Sequence, residues 1–108
     1  MFSRLLLVPI FLVLALPATA ADIAEGKALS VQCSACHGKD GLSKDPEAPS
    51  LAGQSALYIE KQLVDYQKGM RQDRRMSLIA QGLKKAQIKN LAAYYAAFKV
   101  SVTPPEIE

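Results

Sequence analysis

The chain has 108 residues, 50% of them hydrophobic, with 13 Lys and Arg against 10 Asp and Glu and a net charge of +3 at neutral pH. That length allows one small domain, and a charge so near zero gives no electrostatic footprint for a nucleic-acid partner. The two cysteines fall within one four-residue span, which excludes the long-loop disulfide framework of a small exported domain.

Residues 1–20 read as a cleaved secretory signal peptide. Arg4 gives a basic start, Leu5 to Leu16 is almost unbroken apolar sequence, and Pro17 leads into the small-residue cleavage signal Ala18-Thr19-Ala20. An uncleaved anchor is the alternative, but the apolar run is short and Pro9 interrupts it, so no membrane span is expected after cleavage. Export makes a bacterial periplasm the expected compartment. Residues 21–108 then form a small domain that buries a modest core and needs a staple such as a metal or cofactor. Charge divides unevenly along it. Residues 21–54 carry three basic and five acidic side chains, residues 55–100 carry nine and three, and the tail adds two acids.

Asp22-Ile23-Ala24-Glu25 has the spacing of a capping box and opens a helix predicted to run toward Cys33 and stop at Gly38. From Gly38 to Gly53 the chain is punctuated by Gly, Pro, Asp and Ser with no sustained period, so a loop is predicted. Ser55 is a fit N-cap for a second helix through Lys68, with Gly69 as its stop and Ile59, Leu63 and Tyr66 on one buried stripe. A polar loop, Met70 to Arg75, precedes a brief helical piece around Met76 to Gln81. The last helix spans about Lys85 to Phe98, with Ile88, Leu91, Tyr95 and Phe98 recurring at three- and four-residue steps. Residues 101–108, with Pro104-Pro105, read as a flexible tail. No segment alternates with period two, so the domain at 21–100 is expected to be all-α.

Chemistry concentrates in Cys33-Ser34-Ala35-Cys36-His37. On one helical turn, positions i and i+3 point the same way, so two thiols can reach the two vinyl groups of one haem and tie it down by thioether bonds. His37 then supplies the proximal nitrogen to the iron. A disulfide exchanger would need a βαβ setting that this chain lacks, and a structural zinc site would need a fourth ligand beyond Cys33, Cys36 and His37. The sixth iron position has two methionine candidates. Met76 opens the apolar run Met76-Ser77-Leu78-Ile79-Ala80 and is favoured, whereas Met70 sits between Gly69 and Arg71 in a polar run; a lysine would first have to lose a proton.

The run Cys33 to Gly41 resembles the haem-binding segment of small bacterial class I cytochromes c of the c-553 and c-four type. Pro49-Ser50-Leu51-Ala52-Gly53-Gln54 resembles that group's Pro-x-Leu-Ala-Gly-Gln loop, and Tyr58, Gln62-Leu63, Tyr66, Gly69 and Leu91 to Tyr95 fall where it has matching residues. The likeness covers residues 22–98. It implies a class I cytochrome c fold of four to five short helices around one covalent haem c, with the first and last helices crossing near Gly26 and Tyr95. It also implies Met76 as the distal ligand and a Pro49 carbonyl bonded to the other nitrogen of His37. In this chain Lys84-Lys85 stands where the group has capping residues at its last helix, an unfavourable pairing with the helix dipole. One motif and one domain's length imply a single haem.

The resemblance implies a periplasmic one-electron carrier, not an enzyme, working with redox protein donors and acceptors such as a membrane oxidase or a periplasmic dehydrogenase. One alternative is a haem-bearing subunit of a larger periplasmic oxidoreductase. A third reading, a five-coordinate gas-binding or peroxide-reducing haem protein, needs an open sixth position. Lys68, Arg71, Arg74, Arg75, Lys84 and Lys85 cluster around the proposed distal ligand, and either steer acidic partners or form a solvated face.

Overall fold

A computed structural model describes residues 9–16 and 19–107. The leader's Arg4, the start of its apolar run, and Pro17-Ala18 of its cleavage signal lie outside the described residues, as does Glu108. Residues 9–16 and 19–22 form no regular element, and no helix among the described residues is long and apolar enough to cross a membrane. The described domain is all-helical, with no strand.

Asp22 begins helix α1 (Ile23–Leu29) as the sequence predicts: its carboxylate accepts the Glu25 N–H at 3.0 Å, and its own N–H is donated to Asn90 Oδ1 at 2.8 Å. The predicted single helix is in fact broken. Ser30–Cys33 winds as a 3₁₀ turn before helix α2 (Ser34–His37) resumes. The hydroxyls of Ser30 and Ser34 donate to the carbonyls of Lys27 and Val31, each at 2.7 Å, and such bonds to the preceding turn compete with the main-chain ladder. The 3₁₀ turn ends at Cys33, and the α-helical turn that follows carries Cys36, three residues on.

Helix α3 (Ala56–Lys68) starts after Ser55, although the Ser55 side chain makes no capping bond, and ends at a left-handed Gly69. Helix α4 (Met76–Gln81) is a short piece with only Ala80 buried. The Gln67 amide ties its far end down by donating to the carbonyls of Ala80 and Leu83, both at 2.8 Å, and Gln81 donates back to the Gln67 carbonyl at 3.0 Å. Helix α5 (Lys85–Ala96) has a poor first turn by charge, yet Gln87 Oε1 accepts the Lys84 N–H at 2.9 Å and supplies the missing cap. The helix ends two residues short of the predicted Phe98. Beyond it the Phe98 N–H turns to the Tyr95 carbonyl at 3.3 Å rather than to that of Tyr94, and the same carbonyl also accepts the Gly53 N–H at 2.9 Å.

Helices α1 and α5 approach closely because Gly26 has no side chain. A Cβ there would lie 2.1 Å from the Asn90 carbonyl oxygen and 2.8 Å from Tyr94 Cβ. The crossing is therefore at Asn90 and Tyr94, one position from the expected Tyr95, which turns into the core instead. That core is small: Ile59, Leu91, Ala92 and Tyr95 are buried, with Leu29, Leu51, Leu63 and Leu83 partly buried around them. Tyr94 meets Phe98 edge-on at 5.1 Å between ring centres.

Candidate cofactor site

Much of the space between these helices is a cavity of about 250 Å³ rather than packed side chains. Cys33, Cys36 and His37 from the first helical segment line it, together with Ile59, Leu63 and Tyr66 of α3 and Leu91 and Tyr95 of α5. Pro49 lines it from the loop and Met76 from α4, so the five residues singled out for cofactor binding share one cavity. Met70 does not line it and is 78% exposed.

The loop that brings Pro49 there is built on its own main chain. Gly41, at φ +74°, turns so that its carbonyl accepts the N–H groups of Leu51 (2.7 Å) and Ala52 (3.1 Å), and a Cβ would stand 2.9 Å from the Ala52 nitrogen. The Ser43 hydroxyl donates to the Cys36 carbonyl at 2.9 Å, joining the same loop to α2. His37 is only 6% exposed, and its Nδ1 lies 2.7 Å from the Pro49 carbonyl oxygen. A carbonyl can only accept, so Nδ1 carries the proton and Nε2 keeps its lone pair. Among the described residues no buried polar side-chain atom lacks a partner, so the unpaired Nε2 retains access to the cavity.

Charged groups gather beside the cavity. Arg75 Nη1 lies 3.1 Å from Asp45 Oδ2 and 3.9 Å from Cys36 Sγ, while its other nitrogen is 3.5 Å from Glu47. Arg74 reaches Glu47 at 3.1 Å. The main-chain N–H of Glu47, and then Arg75, hold the Asp45 carboxyl below the usual carboxylate range. The N–H groups of Met76 and Arg75 do the same for Asp73. Burial pushes the Cys33 thiol up, and burial, with Cys33 nearby, raises Tyr95 far above a free phenol. Arg71 bonds to Gln62 and stacks 4.9 Å over the Tyr66 ring. All three arginines of the proposed basic cluster contact other groups of the fold, although Arg71 and Arg74 remain exposed, as are Lys68, Lys84 and Lys85.

The composition of Met70 to Arg75 predicts only a polar loop and does not single out Asp73. An Asp three residues before Met76 was the available signal, since that spacing is a capping position. The pairing of Arg75 with Asp45, 30 residues away, left no local trace.

The donor set suits haem c. Two thiols three residues apart, an imidazole with a free Nε2 and a thioether converge on one cavity whose walls are largely apolar. A cytochrome c family model matches residues 23–97. Cytochrome c4 of Pseudomonas aeruginosa is 41% identical over 83 residues, which cover 77% of this chain and 41% of that protein. Cytochrome c-554(548) of Halomonas halodenitrificans is 41% identical over 81 residues, 72% of this chain and 98% of its own length. The cytochrome subunit of sulfide dehydrogenase from Chlorobaculum tepidum is 39% identical over 70 residues, 65% of this chain and 63% of that one. Among solved structures, reduced recombinant cytochrome c4 from Pseudomonas stutzeri superposes with a TM-score of 0.70 at 35% identity, over 77% of this chain and 48% of that one. The chain thus spans about half or less of the cytochrome c4 proteins it matches and nearly all of cytochrome c-554(548).

Proposed function

The chain belongs to the cytochrome c family, and on that premise we propose that Cys33 and Cys36 hold its haem c by thioether bonds while His37 and Met76 ligate the iron. The fold is that of a class I cytochrome c, and the function is electron transfer. When bound, the haem supplies the one-electron Fe(II)/Fe(III) couple. The protein's own residues bind, orient and shield it. Pro49 fixes the His37 ring and its tautomer, which raises the basicity of Nε2 as a ligand. Met76 would supply a thioether ligand, which favours the reduced state of a bound haem relative to a second imidazole, and ligands drawn from the chain itself would leave little to reorganise between the two redox states. Ile59, Leu63 and Leu91 line the cavity with apolar side chains against which a bound haem would pack.

The observation that carries this reading is the convergence of His37, braced by Pro49, with Met76 and both cysteines on one cavity. The test is a comparison of spectra for the parent and Met76→Ala in both redox states. Loss of the methionine–iron signature in the variant is expected; its retention rules Met76 out as ligand.

We read residues 1–20 as a signal peptide, residues 21–100 as the haem domain and 101–108 as a tail, which makes the protein a periplasmic carrier rather than an enzyme. Its partners are then redox proteins, with a membrane oxidase or periplasmic dehydrogenase as candidates. A second reading, a permanent subunit of an oxidoreductase, is favoured by the likeness to a cytochrome subunit of sulfide dehydrogenase. Purification as a lone monomer separates the two. The five-coordinate reading requires that Met76 leave the iron, and rapid carbon monoxide binding by the reduced parent protein would support it.

A further inference from the structure

Helix α4 presents Met76 to the cavity with little packing to hold it there. It is six residues long, buries only Ala80, and leaves Leu78 76% exposed. A methionine side chain has three rotatable bonds, so its sulfur is placed only as well as its main chain is. At this point the side chains of Asp73 and Ser77 bracket Met76, each bonded to main chain on the other side of the turn. Asp73 Oδ1 accepts the N–H of Arg75 and that of Met76 itself, both at 2.8 Å. Ser77 Oγ accepts the Asp73 N–H at 3.0 Å, and the Ser77 N–H is donated to the Asp73 carbonyl at 3.1 Å. Asp73 also lines the cavity. The Met76 N–H is among those of a first helical turn that have no partner within the helix, so the carboxylate supplies a bond that nothing else in the turn can.

We propose that Asp73 is a positioning residue for the axial methionine: through Oδ1 it fixes the Met76 main chain at the cavity, and the hold of the sulfur on the iron depends on that bond. The proposal rests on the reading of Met76 as a ligand. Its essential feature is an acceptor oxygen rather than a negative charge, because both partners are neutral amides. Asp73→Asn therefore keeps the function and Asp73→Ala loses it. Ser77→Ala removes the Ser77 hydroxyl's bond while leaving the carboxylate, and weakens the hold less.

The test is imidazole titration of the oxidised holoprotein, in which imidazole competes with the sulfur for the iron, followed by absorbance alongside the methionine–iron signature. Loss of a helix cap predicts that Asp73→Ala binds imidazole about tenfold more tightly than the parent. Asp73→Asn is expected to stay within about twofold, the range of an ordinary surface change. Met76→Ala sets the upper limit, with much tighter binding and no methionine signature. Unchanged affinity in Asp73→Ala overturns the proposal, as does an equal effect in the Asn variant, or a fall in resistance to denaturant with no change in imidazole binding. Should Asp73→Ala not yield folded protein, Ser77→Ala decides: tighter binding supports the clamp and parent-like binding overturns it. If Met76→Ala itself binds imidazole like the parent, the ligand assignment fails and the Asp73 proposal with it. If Met76→Ala behaves as a ligand loss and Asp73→Ala does not, the proposal alone fails.

Discussion

Adding one methyl group at Gly26 sets two effects of opposite sign against each other. Helix propensity favours alanine over glycine by about 1 kcal/mol within a helix. Against this stands the crossing with α5, where the new Cβ would lie 2.1 Å from the Asn90 carbonyl oxygen, 2.7 Å from its carbon and 2.8 Å from Tyr94 Cβ. Two of these neighbours are main-chain atoms of a helix, which cannot swing aside, so α1 and α5 must part by roughly 1–2 Å to reach ordinary contact distance. A gap of about 1 Å already forfeits roughly a quarter to a half of each dispersion contact along the interface, and it strains the Asp22 to Asn90 bond. Overpacking of this kind costs about 1–3 kcal/mol, and the rigidity of the neighbours puts Gly26→Ala at the upper end. The net expectation is a loss of about 2 kcal/mol, or roughly 8–16 °C in melting temperature for a domain of this size. Thermal and guanidinium unfolding of parent and variant holoproteins measure it. A variant as stable as the parent, or more so, would show that propensity governs the site and would refute the close-approach argument.

Two further outcomes follow from the polar contacts. Asp45→Asn weakens the link to Arg75 at neutral pH. The folded-state pKa of Asp45 is depressed, so its stabilisation is present above the unfolded carboxylate value of about 3.9 and disappears as pH falls through the lowered one. Denaturation midpoints of parent and Asp45→Asn are therefore expected to differ at neutral pH and converge in acid; a gap that persists in acid contradicts the assignment. Gln67→Ala strips the Ala80 and Leu83 carbonyls of their shared donor and is expected to cost about 1–3 kcal/mol in urea unfolding.

What could be read from sequence was what acts over one or two turns. The Cys33 to His37 spacing, the Asp22 cap and the stripe of Ile59 and Tyr66 are local patterns; α1 starts at its cap and α3 lies where the sequence puts it, although the helix toward Cys33 is broken by a 3₁₀ turn. Misreadings arose where a distant group changed a local outcome. At the end of α5 the Phe98 N–H closes on the Tyr95 carbonyl, which also receives the Gly53 N–H from a distant loop. Asn90 and Tyr94 receive Gly26 because of how α1 lies across α5, which no spacing within either helix records. Charge counting saw a basic C-terminal half and could not see that Asp45 and Glu47 answer Arg74 and Arg75. Ser30 and Ser34 were legible in principle, since serine in a helix interior turns to its own backbone.

The cavity at the centre of this small domain has a consequence for how the protein comes to exist in a cell. The space that other domains of this size give to buried side chains is here kept for a cofactor, so a share of the free energy of folding resides in a bond-making event that follows synthesis. The haem-free polypeptide lacks that share of its stability, so the loaded protein is expected to resist denaturant and protease better than the unloaded chain.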